Sequence, residues 1–150
     1  MILLIEAGKT GAMGVILNRR TSISVAEALP QIGELGDSDD LLYAGGPVAP
    51  TKPVILVLTS SPPEDSVELV ENEVYLLRSA AAVRAVIEDP TDDTVVRVFA
   101  GYAGWAPGQL EAEIDRSDWH ILPGSAKWIF SDDPQTVWSR LLALVFQSTA

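Results

Sequence analysis

The chain has 150 residues, the size of one ordinary domain, and 21 acidic against 10 basic residues give it a net charge of −11. This charge disfavours direct binding of nucleic acids and of anionic membranes, since both partners attract Lys and Arg. The absence of cysteine excludes disulfides, a thiol nucleophile and a cysteine-based zinc site, and a single histidine excludes a multi-histidine metal centre. No apolar run is long enough to span a membrane. We therefore expect a cytoplasmic protein without metal or cofactor.

The first 18 residues predict a β-hairpin. Two nearly continuous apolar runs, residues 1–7 and 12–18, flank the turn-forming residues 8–11. Because both runs are so apolar, we expect both strands to be buried on both faces. The Gly8-Lys9-Thr10 fragment lacks the helix that a phosphate-binding loop needs after its Thr, so we interpret it as a turn.

The middle of the chain alternates between capped helices and short apolar strands. Ser24 and Glu27 form a capping box for a helix that Pro30 should end or tighten in its last turn. An acidic loop follows over residues 33–40. Ser79 caps a second helix over residues 80–88, which Asp89-Pro90 ends. Strands are predicted at residues 41–43, 54–59, 67–70, 74–77 and 94–99, the third and fourth forming a hairpin.

The last third begins with a turn rich in glycine and aromatic residues, over residues 100–105. Pro107 suits the first position of a short helix, and residues 119–122 predict a further strand before a short piece at 126–130. Asp133 caps the C-terminal helix. That helix carries its apolar residues at helical spacing, which predicts a face directed at the core: Trp138, Leu141, Leu142, Val145 and Phe146.

This order of elements is not a strict alternation of strands and helices. It predicts one α+β domain over residues 1–150, with a mixed, largely antiparallel sheet and helices packed on it. A layered α/β/α arrangement is the alternative.

The glycine-rich and aromatic block and the acidic helix after it are the candidate site, for which two interpretations stay open. A ligand could bind beside the turn, or the helix carboxylates could simply interact with the positive end of the helix dipole. Asn18 and Arg19 end a predicted strand, where the amide of Asn18 could tie down the turn. We predict no catalytic residue, since His120 has no partner nucleophile and no Gly-x-Ser-x-Gly motif occurs. The ligand-binding hypothesis names Asn18, Arg19, Gly101, Tyr102, Gly104, Trp105, Gln109 and Glu111.

Three segments occur in an order that resembles the YqgE/AlgH family of small bacterial proteins: residues 11–19, 45–48 and 101–114. Trp119, Ile129-Phe130 and Trp138 also fit the family's layout, so the resemblance covers essentially the whole chain. It implies an unusual α+β fold and no known biochemical function. One branch bears the name of a regulator of alginate synthesis, so the resemblance implies at most a regulator of transcription.

Two departures from the family matter. Arg20 stands where the family usually carries proline, and family members normally have a further segment, including a strand, upstream of the position of Met1. The resemblance therefore implies that this domain lacks an N-terminal strand, which would leave a sheet edge uncovered and make a homo-oligomer plausible.

The sequence thus favours a non-enzymatic regulatory or interaction module that acts through a protein or small-ligand partner. The alternative is a small-molecule-binding protein or enzyme that uses the patch at residues 101–113.

Overall fold

The strands and helices of this α+β chain are described over residues 1–35, 40–89 and 91–148 of a computed structural model. The strands are β1 (Ile2–Gly8), β2 (Gly11–Ile16), β3 (Arg20–Ser24), β4 (Leu41–Ala44), β5 (Val48–Leu58), β6 (Ser66–Val70), β7 (Val74–Leu77) and β8 (Val95–Trp105). The α-helices are α1 (Val25–Ala28), α2 (Ala80–Glu88), α3 (Gln109–Asp115), α4 (Ala126–Ile129) and α5 (Pro134–Ser148). Within these ranges no helix is long and apolar enough to cross a membrane.

Strand β8 is the centre of the sheet. The sheet runs in the order β1-β2-β8-β5-β7-β6, and its pairs along this path are antiparallel. Strand β4 pairs with the middle of β8 in parallel and carries β3 on its other side. The sheet is therefore mixed and largely antiparallel, as predicted.

Two apolar cores form on the two faces of the sheet, because successive strand residues point to opposite faces. In β5, Ile55 and Val57 face one core, and Val54 and Leu56 face the other. Helix α2 contributes to the first core, and α4 contributes Ile129 to the second. Each face of the sheet is thus covered by helix.

The end of β4 lies between β2 and β8 at the point where β8 changes partners. Gly45 donates its N–H to the carbonyl of Ala100 (2.9 Å) and accepts from the N–H of Ile16 (2.8 Å). Gly101 has φ +74° and Gly46 has φ +155°, backbone conformations that favour glycine. A Cβ at Gly101 would overlap the carbonyl oxygen of Gly46, so the two backbones approach too closely for any side chain.

Most predicted elements are confirmed, including the N-terminal hairpin, the hairpin β6–β7 and helix α2. Ser24 and Ser79 both accept the predicted capping hydrogen bonds. Helix α1 ends before Pro30, as predicted, and a separate 3₁₀ turn forms at Pro30–Ile32. The predicted loop at 33–40 and the helix stop at Asp89-Pro90 fall partly on residues 36–39 and 90, outside the described residues.

Three predictions about local structure were wrong, and one strand was not predicted. Strand β1 lies at the edge of the path and is not buried on both faces, and β3 was not predicted. The predicted turn at 100–105 is the second half of β8, because the strand keeps its pairing past Gly101. Residues 119–122 form no strand, since their backbone finds no strand partner there.

Helix α5 begins at Pro134 and is capped by Asp133 as predicted, but its apolar side is not directed wholly at the core. Val137 is buried, whereas Trp138 is 49% exposed and Phe146 is 65% exposed. Helical spacing identified the apolar residues correctly, but it cannot tell whether a neighbouring element covers them.

Candidate functional site

A single carboxylate, Glu113 on α3, holds three N–H donors. Its Oε2 accepts from the indole Nε1 of Trp105 (3.0 Å) and from that of Trp119 (2.8 Å). Its Oε1 accepts from Nε2 of Gln109 (3.0 Å). The two indole rings meet edge to face, with 6.0 Å between their centroids. We call Trp105, Gln109, Glu113 and Trp119 the Glu113 clamp.

The local sequence explains why these groups converge. Gly108 precedes α3 with φ +79°, and the side chain of Gln109 accepts from the N–H of Ala106 (3.0 Å). Gln109 and Glu113 are four residues apart on the helix and therefore lie on one face. Leu110 is buried and anchors this short helix to the rest of the chain.

The clamp stabilises the ionised form of Glu113. The hydrogen bonds from Trp119, Gln109 and Trp105, in that order, lower the pKa of Glu113 from its ordinary value. Donors that hydrogen-bond a carboxylate favour its charged form. The negative charge of Glu113 is therefore fixed beside two indole rings.

All four tryptophans of the chain line one cleft of about 460 Å³. Its walls come from the start of β1, the segment 118–125, α4 and α5. We call it the tryptophan cleft and define it by Trp105, Trp119, Ile121, Trp128, Trp138 and Leu142. Its volume lies in the range of small-molecule sites, about 300–1,000 Å³.

The tryptophan cleft is open to solvent and strongly apolar. Ile121 is 63% exposed, and the side chain of Leu122 next to it is also exposed. The polar groups of the lining include Asp118 and His120, and Asp118 is paired with Arg116 at 2.9 Å. Exposed apolar side chains gathered around a concavity are typical of binding surfaces.

The predicted site residues fall into separate groups. Trp105 and Gln109 belong to the Glu113 clamp, and Trp105 also lines the tryptophan cleft. Glu111 lies on the same helix but is exposed. Asn18 and Arg19 lie elsewhere, in the connection from β2 to β3. The carbonyl of Asn18 accepts from Gln135 of α5 (3.1 Å), and that of Arg19 accepts from the N–H of Ala44 (2.9 Å).

The remaining three predicted residues lie in β8. Gly101 is in close backbone contact with β5 and with Gly46 just before it. Tyr102 pairs with Val48 and packs against the second core. Gly104 pairs with Met13 of β2. The link that ties this region to the end of β2 is the backbone of Gly45, whereas we predicted the amide of Asn18.

Among the described residues, no group of three His, Cys, Asp or Glu side chains is placed to hold a metal ion. His120 is exposed in the irregular segment beside Trp119 and not on a strand as predicted.

A sequence model of the family described as DUF179, AlgH-like, matches residues 1–149. The chain belongs to the AlgH-like family. A UPF0301 protein of Thermobifida fusca is 34% identical over 142 residues, covering 88% of this chain and 70% of the relative. A UPF0301 protein of Mycobacteroides abscessus is 32% identical over 149 residues, covering 95% of this chain and 69% of the relative.

Two solved structures share the AlgH-like fold. The crystal structure of DIP2367 from Corynebacterium diphtheriae matches with a TM-score of 0.77 and 26% identity, covering 93% of this chain and 74% of that one. The solution structure of AlgH from Pseudomonas aeruginosa matches with a TM-score of 0.74 and 27% identity, covering 95% and 76%. The family is uncharacterised, and none of these descriptions states an activity.

Most residues of the tryptophan cleft in this AlgH-like chain were not predicted as site residues from the sequence. Ile121 was assigned to a strand, and Trp138 to the core. One signal was present, because all four tryptophans lie between residues 105 and 138. Tryptophan is a large, rigid residue that is common at binding surfaces, so its concentration in one part of the chain indicated a binding site there.

Replacing Glu113 with alanine is expected to lower the melting temperature of the AlgH-like chain by several degrees at neutral pH, because three donors lose their acceptor. Since the folded-state pKa of Glu113 lies below its unfolded value, its stabilisation is present above the unfolded value and is lost as the pH falls through the folded value. The variant and parent should therefore converge on acidification. Calorimetric melts across pH check this.

The matched control for this prediction is Glu111→Ala, on the exposed side of the same helix. It removes one carboxylate from α3 without touching the clamp, so its melting temperature should stay within about 1 °C of the parent. Equal melting temperatures for the Glu113 and Glu111 variants at neutral pH would contradict the clamp.

Proposed function

We propose that this chain is a non-enzymatic binding module and that the tryptophan cleft is its binding site. The observation that carries the proposal is the convergence of all four tryptophans on one open apolar cleft. Apolar side chains exposed in this way lower the free energy of the complex when a ligand covers them, by roughly 25 cal/mol for each Å² removed from water.

The contacts of the predicted site residues support a role in holding the cleft. Trp105 lines it, and Gln109 bonds the carboxylate that fixes Trp105 and Trp119. The close approach at Gly101 places the last part of β8, and so Trp105, against β2. We propose that the 101–113 block supports a neighbouring binding site, and that turnover at Glu111 is not the function.

The regulatory part of the proposal comes from the family resemblance. A net charge of −11 opposes contact with DNA phosphates, so regulation would be exercised through whatever occupies the tryptophan cleft. In this proposal, the chain regulates by binding a partner in the cleft.

A neutral, apolar dye tests whether the tryptophan cleft binds ligands. Nile red should bind the parent saturably at one site, with energy transfer from tryptophan to the dye. Ile121→Asp places a charge on the apolar wall and should weaken binding at least about tenfold, equivalent to about 1.4 kcal/mol. Fluorescence titration measures both constants.

The control variant is Ile23→Asp, since Ile23 is 43% exposed on β3 and does not line the cleft. It carries the same substitution on another apolar surface and should bind the dye as the parent does. Equal dye affinities for the Ile121 and Ile23 variants, or the absence of saturable binding by the parent, would overturn the proposed function.

A further inference from the structure

We propose that the ligand of the tryptophan cleft is a small organic cation, a methylated or alkylated ammonium compound with an apolar body. This inference rests on the proposed function, because it names the chemistry of the ligand for the same site. Its basis is the combination of four indole rings with a strongly acidic chain.

The first argument is the nature of the lining. An ammonium group is attracted to the negative face of an aromatic ring, and tryptophan binds cations best of the aromatic side chains. Methylated ammonium groups are held mainly by such faces, because their methyl groups leave no N–H to donate. An apolar wall that includes Ile121 and Leu142 accommodates the methyl groups and the body of such a compound.

The second argument is the Glu113 clamp. Both Trp105 and Trp119 donate their indole N–H to one ionised oxygen, at 3.0 and 2.8 Å. A hydrogen bond to a carboxylate polarises the indole and raises the electron density of its ring, which strengthens its attraction for a cation. The same bonds fix the orientation of both rings before any ligand arrives, so little ordering is left for the binding step.

The third argument is that one of these four rings makes a cation–π contact with a lysine next to it in the chain. The Nζ atom of Lys127 lies 5.1 Å from the centroid of the Trp128 ring, within the range of a cation–π contact. One of the four indoles therefore already binds an ammonium group of the chain itself.

The charges around the cleft agree with a cationic ligand. The Glu113 carboxylate lies at the Nε1 edge of two of the rings, and Asp118 is paired with Arg116. The net charge of −11 attracts cations over a longer range.

The test compares choline with 3,3-dimethylbutan-1-ol, which has the same shape but a carbon atom in place of the charged nitrogen. Choline should quench the tryptophan fluorescence saturably, with a Kd at least about tenfold below that of the alcohol. Trp138→Leu keeps the wall apolar but removes one ring. It should weaken choline binding severalfold and change the affinity for the alcohol by less than about twofold.

Two results would overturn this inference while leaving the proposed function intact. The alcohol could bind as tightly as choline, or choline could fail to bind to a protein that still binds Nile red. If neither Nile red nor choline bound saturably, the proposed function would fail together with the inference.

Discussion

Replacing Gly101 with alanine is expected to unfold the chain or to remove more than about 4 kcal/mol of its stability. Gly101 has φ +74°, a conformation that strains any residue with a Cβ. The added Cβ would also overlap the carbonyl oxygen of Gly46 and lie 2.9 Å from that of Val48. These are backbone atoms of β5 and of the connection that precedes it, and they cannot move aside cheaply. Circular dichroism and urea denaturation measure the loss.

Two other glycines separate the two causes of this loss. Gly108 has φ +79°, but a Cβ there would meet nothing within 4 Å, so Gly108→Ala should reveal the conformational strain alone, about 1 kcal/mol. Gly8 has open space and no positive φ in the left-handed range, so Gly8→Ala should stay within about 0.5 kcal/mol of the parent. If Gly101→Ala were no less stable than Gly108→Ala, the close approach of the two backbones would be disproved.

Replacing Arg97 with methionine should lower the free energy of unfolding by about 2 kcal/mol. Its Nη1 donates to the carbonyls of Ile129 (2.9 Å) and Ser131 (3.0 Å), and its guanidinium carbon lies 4.6 Å from the centroid of the Tyr43 ring. Methionine keeps much of the aliphatic volume but leaves both carbonyls without this donor. Urea denaturation measures the effect.

Arg20→Met is the matched control, because Arg20 is exposed and donates to the carbonyl of Asp132 at 3.3 Å. Its stability should stay within about 0.5 kcal/mol of the parent. Arg97 holds the junction between α4 and α5, which carry Trp128 and Trp138 to the tryptophan cleft. The Arg97 variant should therefore also bind Nile red more weakly, and equal stability of the two arginine variants would contradict this role.

The helix starts show what local sequence can predict. Ser24, Ser79 and Asp133 each accept a hydrogen bond from a backbone N–H three residues further on. Because donor and acceptor are close in the chain, the local residue types are enough to predict the capping hydrogen bond. The buried part of β5 was predictable for a related reason, since a continuous apolar run needs cover on both faces.

Helix α5 shows what the local sequence pattern could not predict. The spacing of Trp138, Leu141 and Leu142 is that of a core-facing helix, and the structure places these residues around an open cleft. Periodicity reports that one side of a helix is apolar, but not which surface it meets. The strand predicted at residues 119–122 was wrong for a similar reason, because a strand forms only where the backbone of a neighbouring strand can pair with it.

By itself the sequence determined the fold class, the acidic charge, the helix caps and most of the strands, because these depend on composition and on contacts between near neighbours in the chain. The tertiary structure alone decided that β8 continues through Gly101 instead of ending there, since the backbone that approaches it, that of Gly46, is distant in sequence. It also decided that the four tryptophans share one cleft. Residues far apart in the chain leave no periodic signal of their meeting, so only the packed sheet and helices could show it.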